Sequence, residues 1–180
     1  AALLPAGGAA LREGEDAAES GLKRAGGREF GALHFATHGR YEDRAPGRSG
    51  LVLAPGGGED GLLQVREIAS LALRARLVSL SACETGLGEL VTGEGVVGVA
   101  RGFLDAGADA VAMTLWRIPD ASTAELMTRF YGGLRAGRRA AEALREAKLE
   151  LLRGRPGREA PFHWAGVVIT GDADAALPGL

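Results

Sequence analysis

Leu77-Val-Ser-Leu-Ser-Ala-Cys-Glu-Thr-Gly86 decides how this chain is read. An apolar run containing a β-branched residue ends at Cys83, the single cysteine among 180 residues. Gly86 and Gly88 follow, so the run predicts a buried strand that halts at a turn. A thiol in that place stands at the carboxyl edge of a strand, where open α/β sheets bind their ligands. Ala32-Leu-His-Phe-Ala-Thr-His38-Gly39 has the same form and ends in His-Gly. If both strands run parallel in one sheet, Cys83 and His38 emerge along one edge as a thiol–imidazole pair.

The flanking segments predict how such a sheet is covered. Residues 1–14 are rich in Ala, Gly and Pro and read as a loose leader. Asp16 to Arg24 predicts a short helix ended by Gly26-Gly27, and Leu33–Ala36 the strand before His38. Gly50 to Ala54 predicts a short strand. Leu62 to Arg74, with Val65, Ile68, Ala69 and Ala72 on one face, has helical spacing. Thr92 fits an N-cap for a helix with Glu94 near its positive end, an inner stripe of Val96, Val99, Ala100 and Phe103, and a stop at Gly107. Ala110 to Trp116 reads as a further buried strand. Ser122-Thr-Ala-Glu125 fits a capping box opening a helix with Leu126, Phe130 and Leu134 inward. Arg139 to Arg153 predicts another helix, with Leu144, Ala147 and Leu151 inward. Trp164 to Thr170 predicts the last strand, with a frayed tail after Gly171. Strands alternating with helices imply a mainly parallel α/β sheet with helices on both faces. The expected organisation is a loose segment 1–14, one domain over 15–172 and a tail 173–180.

Composition narrows the function. With 46% hydrophobic residues the chain can bury a real core, and a net charge of −2 offers no bulk attraction to nucleic acid or anionic membrane. No apolar run reaches the roughly 18 residues of a membrane-spanning helix. The start, Ala1-Ala-Leu-Leu-Pro5, lacks an initiator Met and a basic leader, which implies a piece of a longer protein and no signal peptide. One cysteine cannot form an internal disulfide, and this fits a reducing cytoplasm.

A lone cysteine is ordinarily a small buried hydrophobe. Here its setting points to chemistry. The thiolate is the nucleophile, and an adjacent imidazole can take the thiol proton and return it to a leaving amine. Neighbouring strands lie about 4.8 Å apart, so groups at adjacent strand ends come within reach. Gly39 leaves its N–H unshielded, and with the Cys83 N–H it could polarise a scissile carbonyl. His34, earlier on the same strand, reads as a satisfied core histidine, and Ser81 as facing the core. A zinc site from His34, His38, Cys83 and His163 would lack the short paired ligand spacings. Asp120 reads either as a helix cap or as a pocket carboxylate. Trp116 reads as core or as a pocket wall. No metal or organic cofactor is called for.

Five motifs then carry a resemblance: His-Phe-Ala-Thr-His-Gly (34–39), Ser-Ala-Cys-Glu-Thr-Gly (81–86), Gly-Glu-Gly (93–95), Leu-Trp-Arg-Ile-Pro-Asp (115–120) and Pro-Phe-His-Trp-Ala (161–165). In this order they resemble the CHAT domain, a bacterial member of the caspase-like (clan CD) cysteine peptidases, from about Gly14 to Gly171. The resemblance places the catalytic histidine on His38 and the nucleophile on Cys83. It implies a caspase-like α/β fold, with an upstream strand and helix that this chain starts too late to contain in full. In many clan relatives an acid lies two residues before the nucleophile, where this chain has Ser81. A preference for Lys or Arg before the cut would therefore rest on Asp120, Glu84 or Glu94.

The expectation is a cytoplasmic cysteine endopeptidase acting on a protein substrate without a cofactor. The resemblance further implies control by an upstream helical-repeat sensor or the remaining N-terminal part of the protein. It also implies a role in defence or cell-death-like pathways, with gasdermin-like pore formers among the substrates. Two alternatives stay open: a silent caspase-like interaction module, and an acyl hydrolase or transferase using the same pair.

Overall fold

The computed structural model describes residues 2–5, 10–40, 42, 45–81, 94–154, 160–174 and 177. The chain opens with two short strands, β1 (Ala2–Pro5) and β2 (Ala10–Leu11), then a 3-10 turn at Gly14–Ala17 and α1 (Glu19–Arg24). β3 (Glu29–Phe35) leads into β4 (Gly39–Arg40), β5 (Gly50–Val52) and β6 (Leu62–Gln64), and the single turn α2 (Val65–Ile68) follows. Next come β7 (Arg74–Leu80), α3 (Glu94–Asp105) and β8 (Ala108–Thr114). The long helices α4 (Asp120–Arg135) and α5 (Ala140–Gly154) precede β9 (Val167–Gly171).

The main sheet has the order β2-β1-β3-β7-β8-β9. Its centre, β3-β7-β8, is parallel, and β9 returns antiparallel along β8. Leu77 to Leu80 are all buried, as are Ala110 to Met113. Parallel strands covered on both faces need such continuous runs, and this is why the sequence shows no alternation there.

Successive side chains leave a strand on opposite faces, which builds two cores. Leu33, Phe35, Val78, Leu80, Val111 and Met113 meet Leu22, Ile68, Val99 and Phe103 on one side. The Phe35 and Phe103 rings lie 5.2 Å apart there. Ala32, Leu77, Ala110 and Ala112 meet Leu126, Phe130, Leu134, Leu144 and Leu151 on the other. Each large side chain so buried contributes about 1.5–3 kcal/mol. The stripes read from spacing on α3, α4 and α5 are the ones that face inward; of the α3 stripe, the Val96 side chain lies outside the described residues. Gly107 stops α3 as expected. Its φ of +106° suits glycine, and a Cβ there would meet the Leu73 carbonyl oxygen at 2.3 Å.

Several expectations need correction. The segment 1–14, read as loose, contains β1 and β2. β1 pairs with β3 through Ala2–His34, Leu3–Leu33 and Leu4–Ala32, so backbone pairing supplies an order that Ala/Gly/Pro composition hides. Leu62 to Arg74 is not one helix. Leu62 and Leu63 pair across β5 with Val52 and Leu51, leaving one helical turn whose Glu67 carboxylate accepts the Gln64 N–H at 2.9 Å. α4 starts two residues before the expected box, directly after Pro119, so Ser122 lies inside the first turn and is buried. The tail is partly anchored. Ala141 N–H donates to the Ala173 carbonyl at 2.8 Å, and Leu177 is buried with the α4/α5 core. Thr92, the expected N-cap of α3, lies outside the described residues.

Candidate active site

Because β3, β7 and β8 run parallel, the chain leaves all three at one rim. His38 leaves β3 there. Its carbonyl accepts the Val52 N–H at 2.8 Å, and Thr37 Oγ1 donates to the Val52 carbonyl. Gly39 follows as the first residue of β4, opposite Leu51 in the small antiparallel sheet β4-β5-β6. The histidine is thus carried on backbone fixed from two sheets, and its side chain is exposed.

On the neighbouring strand, Ser81 N–H donates to the Phe35 carbonyl at 2.9 Å, continuing the β3–β7 ladder one residue past Leu80. Cys83 follows by two residues in the chain. Cys83 and Glu84 lie outside the described residues, as does the Glu94 side chain, although the Glu94 backbone opens α3. The described geometry therefore brings together the stems from which His38 and Cys83 depart.

Beneath the rim sits a polar cluster on the α4 side. His34 Nε2 lies 3.0 Å from Ser81 Oγ, and the imidazole stacks on Tyr131 at 5.6 Å. Tyr131 O–H donates to Ser79 Oγ at 2.9 Å, and Ser79 is fully buried. Burial pushes the His34 pKa down to about 4 and the Tyr131 phenol up to about 12. His34 is therefore neutral at ordinary pH, and Tyr131 keeps its proton. The expectation of a satisfied core histidine holds. Sequence reasoning missed its partners, because a tyrosine on a helix 97 positions later gives no local signal.

The far side of the rim comes from β8, α4 and the turn before β9. Trp116 is partly exposed, and its Nε1–H donates to the Phe162 carbonyl at 3.1 Å. Gly166 lies against the indole, where a Cβ would meet Trp116 Cε2 at 2.7 Å. Trp116 is thus a surface plate, not core. Asp120 is the exposed first residue of α4, where the positive end of the helix favours its charge. His163, for which the sequence offered no partner, has its Nδ1 3.1 Å from Ser122 Oγ. A groove of about 700 Å³ opens on the β3 side, lined by Leu11, Glu13, His34, Ala36, Thr37 and Val52.

Among the described residues, one group of side chains has metal-like spacing: Glu19, Glu59 and Glu67. The Lys23 ammonium already lies among them, at 2.6, 2.6 and 2.9 Å. Burial works to lower the Lys23 pKa, but the three carboxylates outweigh it and raise the value. The cluster ties α1 to the turn at Glu59 and to α2. His34 and His163 are engaged with serines, so neither stands as an idle ligand.

No helix among the described residues is long and apolar enough to cross a membrane. The family model described as CHAT domain matches residues 1–172, so the likeness begins earlier than the motifs alone indicated. Two mammalian relatives are similar over 110 residues, which is 61% of this chain. They are Tetratricopeptide repeat protein 28 of Mus musculus, at 34% identity, and its counterpart of Homo sapiens, at 33%. The chain spans about 4% of the length of those relatives. Together with the parallel α/β sheet and its helices on both faces, the match over 1–172 shows that the chain belongs to the CHAT domain family, a caspase-like family of cysteine peptidases.

Proposed function

We propose that the chain is a cysteine endopeptidase in which His38 takes the proton of Cys83 and the thiolate attacks a peptide carbonyl. The carbonyl carbon becomes a thioester on Cys83, the proton passes from His38 to the departing amine, and water then releases the acid. The Gly39 and Cys83 N–H groups hold the oxyanion. One observation carries this reading: the ladder bond from Ser81 N–H to the Phe35 carbonyl joins the two strand ends from which His38 and Cys83 leave.

Asp120, Glu84 and Glu94 are the carboxylates proposed to read a basic residue before the cut, and Trp116 supplies a pocket wall. The exposure of Asp120 and Trp116 supports this for those two. The partner is a protein substrate, with gasdermin-like effectors as one class, and the site of action is the cytoplasm of a bacterial cell. A helical-repeat sensor, or further N-terminal sequence of the same protein, would control it. The tetratricopeptide repeat in the name of the mammalian relatives supports the sensor.

Two measurements test the proposal. Iodoacetamide should label Cys83 fast near pH 7, and about tenfold or more slowly in His38→Ala, since a positioned base contributes about 10²–10⁴ in favourable cases. A peptide-library profile with Cys83→Ala as control should show cleavage after Lys or Arg, weakened in Asp120→Ala or Glu84→Ala. Equal labelling rates with no cleavage would instead favour the interaction module. Unchanged preference in both acid variants would remove those acids as the reader.

A further inference from the structure

The α4-facing layer of the sheet is apolar at Ala32, Leu77, Ala110 and Ala112. It turns polar at one end only, where His34, Ser79, Ser81 and Tyr131 meet. Buried polar groups cost free energy unless each finds a partner, so a polar patch inside an apolar layer needs a reason. Here each of the four residues has a partner: His34 with Ser81 at 3.0 Å, Tyr131 with Ser79 at 2.9 Å, and the two rings stacked. The cluster crosses from β3 to β7, since His34 and Ser79 are register partners. It also lies directly below the rim, because Ser81 is the last rung of that ladder, bonded to Phe35 by its N–H. His34 precedes His38 on one stem, and Ser81 precedes Cys83 on the other.

We infer that His34 and Ser81 are positioning residues for the His38–Cys83 pair: their side-chain bond pins the end of β7 to β3 and so sets the approach of the two stems. This rests on the proposed dyad. Backbone pairing alone leaves a strand end free to fray or swing. A second bond on the helix side, backed by the Tyr131 ring, removes that freedom at the residue where the ladder stops. Neither residue touches substrate; both act through the reacting pair. Ser81 thus serves the fold of the rim, and substrate reading falls to other side chains.

The test follows Cys83 alkylation by iodoacetamide against pH in the full chain, with thermal melts alongside. Ser81→Ala should slow labelling about tenfold at pH 7 and move its midpoint up toward the ordinary thiol value of about 8.5. Ser81→Thr, which keeps the hydroxyl on a β-branched residue suited to a strand, should restore both. His34→Phe, which keeps a ring on Tyr131 and loses the bond, should match Ser81→Ala, and the double variant should be no slower than either. If Ser81→Ala fails to fold, His34→Phe carries the same reading. A lowered melting temperature with a wild-type rate and midpoint would mean a structural role only and would overturn the inference. His38→Ala separates the two ideas. If it slows labelling while Ser81→Ala and His34→Phe do not, the dyad stands and the positioning role falls. If it too labels at the wild-type rate, the dyad itself falls and takes the inference with it.

Discussion

The two ends of the parallel strands are held by different chemistry. At the amino ends, Glu29 and Arg74 stand 3.6 Å apart and Arg76 and Asp109 3.9 Å apart, the first pair largely in solvent and the second about half exposed. At the carboxyl ends, neutral groups make bonds of 2.9 and 3.0 Å beneath helix α4. Exposed ion pairs contribute little, because water screens them and holding two long side chains costs entropy. A buried neutral bond contributes more when broken, since the abandoned partner has no water to turn to. The side-chain bonds at the rim that carries His38 are thus buried and neutral, and those at the opposite end exposed and ionic.

The largest effect expected on this contrast comes from acid. The unfolded chain binds a proton on His34 near 6.5 and the folded chain near 4. Between those values the unfolded state holds more protons, so stability is full above pH 6.5 and falls as pH drops toward 4. At about 1.4 kcal/mol per unit, this one residue accounts for roughly 3.5 kcal/mol. Urea melts across that window should show the slope in the wild type and lose it in His34→Gln; an equal slope in both would move the acid sensitivity elsewhere.

Next in size, Tyr131→Phe keeps the stacked ring but leaves the buried Ser79 hydroxyl without its donor. A loss of about 1–3 kcal/mol is expected, read as a melting temperature lower by roughly 2–4 °C per kcal/mol. Smallest is Arg74→Ala at the opposite end, expected to change stability by less than about 0.5 kcal/mol and to lose even that in high salt. A larger effect there than in Tyr131→Phe would reverse the comparison.

How much of this was legible beforehand follows from where each signal resides. β7, β8, α3, α4 and α5 announce themselves because burial imposes a period or an unbroken apolar run on the residues themselves. β1 and β2 do not: their order comes from pairing with β3, which alanine, glycine and proline leave unmarked. Leu62 and Leu63 head a stretch whose helical spacing lies in Val65, Ile68, Ala69 and Ala72, and only the partner residues Leu51 and Val52 put them in a strand. For the site, motif order marked His38 and its stem. The bonds Ser81–His34 and Ser122–His163 join residues 47 and 41 positions apart, and no local pattern encodes such a meeting.

The reversal of β9 along β8 has one more effect. To run that way β9 must start at the rim, so that Phe162 and Gly166, just before it, meet the Trp116 indole at the exit of β8. A nascent polypeptide consequently displays an unfinished wall on that side of the rim until residues past 160 have emerged.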